Sequence, residues 1–124
     1  MRPTLKPLLT TLVALLLAGC FGDSGGAAAL SYDGKDNGNH SDATKCNADG
    51  TFSGSGTIES GAVHVSVKDG SNHELFSQDY TTTFDATAQS MHGASGTWTI
   101  SATRSSSGVI GTAFSGHYSF RLAC

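Results

Sequence analysis

The heptapeptide Ala62-Val63-His64-Val65-Ser66-Val67-Lys68 decides the fold class of this chain. Valine occupies every second position, and polar or charged residues lie between the valines. A period of two residues is typical of a β-strand with one buried face. Glu59-Ser60-Gly61 before the strand favours a turn, and Asp69-Gly70 after it is a strong hairpin signal. The stretch therefore predicts antiparallel strands joined by short turns.

The same alternation extends along the chain in both directions. Further strands are predicted over Thr51–Ile58, His73–Tyr80, Thr82–Ala88, Gly96–Thr103 and Val109–Cys124. In the second of these, either Leu75 or the pair Phe76 and Tyr80 faces inward, and a bulge would reconcile the two. No stretch after the N-terminal region has a helical stripe. The sequence predicts an all-β fold, an antiparallel β-sandwich of six to seven strands, jelly-roll or immunoglobulin-like.

Trp98 is the single tryptophan of the chain. It lies on the same face of the predicted strand as Ile100 and Ala102. A tryptophan in such a strand is usually the largest packing element of the core. The alternative is a binding face on which the indole stacks against a sugar ring. The shared parity favours the core.

The N-terminal region has the pattern of an export signal. Arg2 and Lys6 precede an apolar run from Leu8 to Ala18. Eleven helical residues span about 16 Å against a hydrocarbon core of roughly 30 Å, so a signal helix fits better than a transmembrane helix. The run closes in Leu17-Ala18-Gly19-Cys20, which resembles the lipobox of bacterial lipoproteins.

The lipobox resemblance implies that residues 1–19 are removed and that Cys20 is lipidated and anchors the mature chain in a membrane. The alternative is an ordinary secretory signal cleaved at a small residue. Phe21 follows the cysteine, where aspartate would imply retention in the inner membrane. The resemblance therefore implies a location in the cell envelope, in the outer membrane if the organism has one.

Three cysteines in an exported chain leave one without a partner. Assigning Cys20 to the lipid leaves Cys46 and Cys124 as an even pair, and export favours their oxidation. The sequence therefore predicts a Cys46–Cys124 disulfide. Two free thiols are the alternative.

The segment from Phe21 to Lys45 is rich in Gly, Ala, Ser, Asp and Asn and has no apolar periodicity. This composition predicts a disordered tether, in which only Leu30 and Tyr32 suggest a short edge strand. The expected organisation is a signal peptide over residues 1–19, the lipidated cysteine and tether over 20–45, and a β-sandwich domain over 46–124.

The composition also excludes classes of function. The chain has seven Lys and Arg against ten Asp and Glu, and removal of the signal lowers the net charge from −3 to −5. An acidic domain without a basic cluster is unsuited to nucleic acid. Serines are abundant, but no G-x-S-x-G elbow is present and the acidic residues are scattered singly. We predict no enzymatic activity and no cofactor.

Five histidines are the remaining candidates for chemistry. His64 and His117 have outward parity and would be neighbours if their strands pair, which makes them candidate ligands for zinc or copper. The chain has no HxH, HxxxH or CxxC spacing, and surface histidines on a polar strand face are the simpler interpretation. No metal site is assigned on this pattern.

Gly96-Thr97-Trp98-Thr99-Ile100 and the later segment Phe114-Ser115-Gly116-His117-Tyr118-Ser119-Phe120 resemble the closing strands of secreted jelly-roll modules such as P-domains and CUB-like domains. The resemblance implies a sandwich, and the calcium loops of many such modules have no counterpart here. We expect a membrane-anchored, non-enzymatic binding or structural module with a partner in the envelope. The alternative is ligand capture, in which a surface face binds a glycan or a transition metal.

Overall fold

A computed structural model describes residues 26–106 and 112–124 of the chain. The described residues form eight strands: β1 (Ala27–Gly34), β2 (Gly38–Cys46), β3 (Asp49–Ser60), β4 (Ala62–Lys68), β5 (Glu74–Tyr80), β6 (Phe84–His92), β7 (Gly96–Ser105) and β8 (Ser115–Ala123). These residues include no helix that is long and apolar enough to cross a membrane. The lipobox, Cys20 and the predicted signal helix lie outside the described residues.

The strands form two antiparallel sheets of four strands. The first sheet has the order β1-β8-β3-β6 and the second the order β2-β7-β4-β5. Only the β4–β5 hairpin stays within one sheet, and every other connection crosses between the sheets. The predicted all-β antiparallel sandwich is confirmed, and this strand order is that of an eight-stranded jelly roll. The strand count is eight rather than six or seven.

The core lies between the sheets and follows the predicted alternation. Val63, Val65 and Val67 of β4 are fully buried, as are Trp98 and Ile100 of β7. Trp98 is therefore a core residue, and its indole Nε1 donates a hydrogen bond to the Ala94 carbonyl. The first sheet contributes most of the remaining large side chains: Phe52, Ile58, Met91, Tyr118, Phe120 and Leu122.

Two bulges resolve positions where the sequence pattern is irregular. In the β4–β5 pair, Val67 lies opposite Phe76 and Lys68 opposite Glu74, so Leu75 has no partner in the register. The bulge lets Leu75 and Phe76 both pack partly against the core. The second bulge lies in β3, where Ile58 is opposite Gly116 and Ser60 is opposite Ser115, so Glu59 has no partner in the register; Gly116 beside it has a φ of 149°.

The segment predicted to be a disordered tether forms two strands as far as the structure describes it. β1 pairs with β8 and β2 pairs with β7 along their whole lengths. The predicted tether over residues 20–45 and the domain boundary at Cys46 are therefore wrong for residues 27–45. Backbone hydrogen bonds to already buried strands stabilise these segments, although they contain few large apolar side chains. The sandwich begins at Ala27, and residues 20–25 lie outside the described residues.

The Cys46–Cys124 disulfide is formed. Cys46 ends β2 of the second sheet and Cys124 follows β8 of the first, so the bond connects the two sheets. We call this end of the sandwich the disulfide end; it also carries Gly26, Asn47–Ala48, the Asp69–His73 turn and Gly93–Ser95. The opposite end, called the far end, carries the β1–β2 turn, Gly61, Thr81–Thr83 and Phe114.

Candidate binding face

The outer surface of the first sheet carries small polar side chains in cross-strand rows. Asp33, His117 and Thr57 form one row across β1, β8 and β3. Ser31, Ser119, Ser55 and Asp85 form the next row, and Arg121 lies beside Ser53 in a third. We call this surface the polar face. Side chains in such rows lie about 5 Å apart, close enough to contact one ligand together.

His117 lies at the centre of the polar face toward the far end. Three shallow depressions include it: one over β1, one over β3 and β6, and one beside the β1–β2 turn. The depression over β1 has a volume of about 500 Å³ and is lined by Ser31, Tyr32, Asp33, His117 and Tyr118. The one beside the turn adds Lys35 and Glu59, and the Ser115 hydroxyl donates to Glu59 Oε1 at 3.0 Å. His117 is therefore the side chain that these depressions share.

Three of the other four histidines make side-chain hydrogen bonds, and the fourth, His73, lies near the Asp69 carboxylate. His64 Nδ1 lies 2.6 Å from Asp79 Oδ1, and His92 Nδ1 lies 2.8 Å from Asp49 Oδ1. His73 Nδ1 is 3.7 Å from Asp69 Oδ2, and His40 contacts the Tyr118 hydroxyl. By contrast, the exposed His117 makes no hydrogen bond to another side chain in the described part of the structure. Its imidazole is available for a ligand.

A polar cluster lies beneath His117, between the two sheets. The Tyr118 hydroxyl is 2.6 Å from His40 Nε2 and accepts a hydrogen bond from Arg104 Nη1 at 3.2 Å. Arg104 can only donate, so the Tyr118 oxygen is the acceptor of that bond. The Arg104 guanidinium also lies 3.6 Å above the centre of the Tyr32 ring, a cation–π contact. Tyr32 and Tyr118 flank Asp33 and His117 in the chain, so the cluster fixes both strands under the face.

The cluster shifts the pKa of two of its members. Burial, followed by the positive charge of Arg104, lowers the pKa of His40, so this imidazole is neutral near neutral pH. Burial raises the pKa of Tyr118, and the hydrogen bond from Arg104 only partly offsets that effect. Tyr118 therefore keeps its proton at neutral pH.

Among residues 26–106 and 112–124, Asp69 at the disulfide end is the one buried carboxylate, with a side chain that is 3 % exposed. Its Oδ2 accepts a hydrogen bond from the Ala94 N–H, and its Oδ1 accepts from the N–H groups of Ser71 and His73. These bonds, that of Ala94 above all, lower the pKa of Asp69. The carboxylate is buried and ties the β4–β5 turn to the β6–β7 loop.

The donors and acceptors of the polar face suit a ligand with several hydroxyl groups. An imidazole offers one donor and one acceptor when it is neutral, a carboxylate accepts only, and serine and threonine hydroxyls do both. His117, Asp33 and Thr57 therefore combine all three types across neighbouring strands.

The structure separates the two histidines that were considered as candidate metal ligands. His64 lies on β4 of the second sheet and His117 on β8 of the first, and both side chains point outward from opposite sides of the sandwich. Their strands do not pair, so the two imidazoles cannot hold one ion. No group of three or more His, Cys, Asp or Glu is placed to hold a metal within residues 26–106 and 112–124.

Asp33 and Glu59 were not predicted as site residues. Asp33 falls in the segment predicted to be a tether, and Glu59 in a predicted turn. The alternation of Leu30 and Tyr32 around Ser31 is the signal that could have placed Asp33 on an outward position of a strand.

Comparisons with known proteins identify no family. No family model matches the chain, and no curated protein matches it. Among solved structures the chain is similar to an arabinose-bound α-L-arabinofuranosidase, with a TM-score of 0.42 and 15% identity over 77% of this chain and 19% of that chain. It is also similar to a structure of infectious bursal disease virus strain Gx, with a TM-score of 0.42 and 8% identity over 83% and 32% of the two chains. The chain thus spans a third or less of either, and neither similarity bears on function.

Proposed function

We propose that this protein is a lipoprotein of the cell envelope whose β-sandwich is a non-enzymatic binding module. The lipobox Leu17-Ala18-Gly19-Cys20 supports a lipid anchor on Cys20, and Phe21 supports the outer membrane in an organism that has one. The Cys46–Cys124 disulfide is compatible with an oxidising compartment outside the cytoplasm.

The observation that carries the binding role is the unengaged imidazole of His117. Three other histidines make side-chain hydrogen bonds and a fourth lies near a carboxylate, whereas His117 stands exposed where three depressions meet. The strands beneath it are fixed by the cluster of Tyr118, His40 and Arg104. A rigid support under an unengaged polar side chain is the arrangement that a binding site requires.

The ligand class that the face favours is a glycan. Hydroxyl, carboxylate and imidazole groups alternate across β1, β8 and β3, and they match the donors and acceptors of neighbouring sugar hydroxyls. Transition-metal capture has no such support, because His64 and His117 lie on opposite faces.

Metabolic labelling with palmitate tests the anchor. Label should enter the full-length protein and partition with it into detergent. The Cys20→Ala variant should take up no label and be released in soluble form. A wild-type protein that stays unlabelled would refute the lipid anchor.

A glycan array followed by calorimetric titration tests the binding face. We expect His117→Ala to weaken binding of the retained glycans by about tenfold, corresponding to about 1.4 kcal/mol. His64→Ala is the matched control, because it removes the same side chain from the opposite face. A disulfide-bonded domain that retains no glycan, or an equal loss of glycan affinity in both variants, would contradict the binding role and favour a structural role for the module.

A further inference from the structure

The chain between Cys20 and the first strand is short. β1 begins at Ala27, seven residues after Cys20. Seven residues span at most about 25 Å in any conformation, because a fully extended chain rises only 3.3–3.6 Å per residue. A lipid on Cys20 therefore holds Ala27 within about 25 Å of the headgroups.

Ala27 belongs to the disulfide end, whose loops are bonded to one another. Ala27 lies opposite Ala123 in the register, and the Cys124 N–H donates to the Gly26 carbonyl at 2.9 Å. The Cys46–Cys124 disulfide continues this connection into the second sheet. Further bonds join the remaining loops: Gly93 N–H to the Ala48 carbonyl at 2.8 Å, and Gly70 N–H to the Ala94 carbonyl at 3.0 Å. The loops of the disulfide end therefore move as one body with Ala27, the residue at which the tether joins the domain.

From these distances we infer that the disulfide end of the sandwich faces the lipid surface, an inference that rests on the proposed lipid anchor at Cys20. In the register, Thr51 of β3 lies level with Ala27 across β8, and Ser60 ends that strand at the far end. Because Glu59 is bulged out of this register, the two levels are separated by the eight residue-to-residue steps of β8 from Ala123 to Ser115, about 27 Å. An inverted domain would lift Ala27 by about this distance, which exceeds the reach of the fully extended chain.

The chemistry of the disulfide end suits polar headgroups rather than insertion into the hydrocarbon. Lys45, Lys68, Asp49 and Glu74 are charges of both signs near this end, and His92 is paired with Asp49. Met91 is buried, so this described surface offers no exposed large apolar side chain as an insertion anchor. The disulfide end therefore lies against the headgroups without inserting into the hydrocarbon, and the covalent tether holds it there.

The orientation determines where the polar face opens. His117 lies opposite Asp33, six residues along β1 from Ala27, which places it about 20 Å farther from the bilayer. The depressions around His117 are thus accessible to large envelope polymers that cannot enter a narrow gap at the membrane.

Energy transfer to labelled lipid tests the orientation in the full, lipidated protein. A fluorescent non-natural amino acid replaces either Asn47 at the disulfide end or Thr82 at the far end, both of which are exposed. The protein is reconstituted into vesicles of phosphatidylethanolamine and phosphatidylglycerol with a headgroup acceptor. We expect transfer from position 47 to be at least about twofold more efficient than from position 82, because the two ends lie about 27 Å apart.

A matched variant with about 20 Gly and Ser residues inserted between Gly22 and Asp23 should lose most of the difference, because the longer tether allows other orientations. Equal transfer from both positions in the parent protein would overturn the orientation and leave the lipid anchor intact. Failure of the parent protein to join vesicles, as for Cys20→Ala, would overturn the anchor itself and with it the inference.

Discussion

The two ends of the sandwich are held together by different kinds of interaction. At the disulfide end, a covalent bond joins the sheets and the buried Asp69 carboxylate ties two loops through three backbone N–H groups. At the far end, the sheets meet through Tyr118, His40 and Arg104, and the Asn37 amide accepts from the Phe114 N–H. The disulfide end is fixed by a covalent bond and by a carboxylate whose pKa is lowered by backbone hydrogen bonds. The far end depends on His40, whose imidazole is kept neutral by burial and by the charge of Arg104, which lower its pKa.

If Cys20 carries a lipid and His117 binds a ligand, as proposed, this difference separates attachment from recognition within one jelly roll. A rigid, bonded end tolerates the constraint of a short tether, while the polar cluster at the other end supports the exposed His117. Variants at the two ends should therefore differ in the size and in the pH dependence of their effects.

The largest effect is expected at the disulfide end. Replacing both cysteines in the double variant Cys46→Ala, Cys124→Ala should lower the free energy of unfolding by about 4.5 kcal/mol, because the bond spans a sequence separation of 78 residues. Urea denaturation measures the loss. The oxidised parent after treatment with a reductant should show the same midpoint as the variant. A double variant as stable as the oxidised parent would contradict a structural role for the bond.

The second effect belongs to the far end. Tyr118→Phe removes the hydroxyl that both Arg104 and His40 contact, and leaving buried partners unsatisfied costs about 1–3 kcal/mol. Tyr80→Phe is the matched control, because no described residue hydrogen-bonds its hydroxyl; it should change stability by less than about 0.5 kcal/mol. Equal losses in the two variants would mean that the cluster contributes no more than ring packing.

A pH dependence should distinguish the far end further. The pKa of His40 is lower in the folded protein than in the unfolded chain. As the pH falls below about 6.5, His40 is therefore protonated in the unfolded chain while it is still neutral in the folded protein. The contribution of His40 to stability is therefore complete above that pH and decreases as the pH falls toward the folded-state pKa. The difference between the urea midpoints at about pH 7.5 and at about pH 5 should be smaller in His40→Gln than in the parent. A variant with the slope of the parent would show that another group dominates this range.

The smallest effect is expected on the polar face itself. His117 is exposed on the outer surface of the first sheet, so His117→Ala should change the free energy of unfolding by less than about 0.5 kcal/mol. Thermal unfolding measures this directly. A larger loss would show that His117 stabilises the fold, and a loss of glycan binding in that variant would then not identify a contact.

The strands predicted correctly from sequence are those whose inward positions carry large apolar side chains. β4 and β7 alternate Val, Trp and Ile with polar residues, so a period of two reports their burial. β2 alternates too, but its inward positions opposite Ala102, Ile100 and Trp98 are His40, Asp42 and Thr44. His40 contacts the Tyr118 hydroxyl between the sheets, whereas Asp42 is exposed and its Oδ2 accepts a hydrogen bond from the Ala29 N–H. Hydropathy cannot report a strand that is held by backbone pairing and internal polar contacts.

The candidate site could not be predicted from the alternation of inward and outward residues along each strand. The outward parity of His64 and His117 was predicted correctly, but parity does not assign a strand to a sheet. Only the strand order shows that β4 and β8 lie in different layers and that β1 brings Asp33 beside His117. Long-range pairing of this kind follows from the whole fold rather than from any local stretch.

The position of β8 has a consequence for how the chain acquires its structure. β8 follows the seven other strands in sequence, yet it lies inside the first sheet, between β1 and β3. A nascent or truncated chain that lacks β8 leaves β1 without its only partner in that sheet, and β3 with β6 alone. Such a chain presents two open strand edges, which are templates for aggregation. Completion of the jelly roll therefore waits for its final strand, and dependence on such distant pairings slows folding.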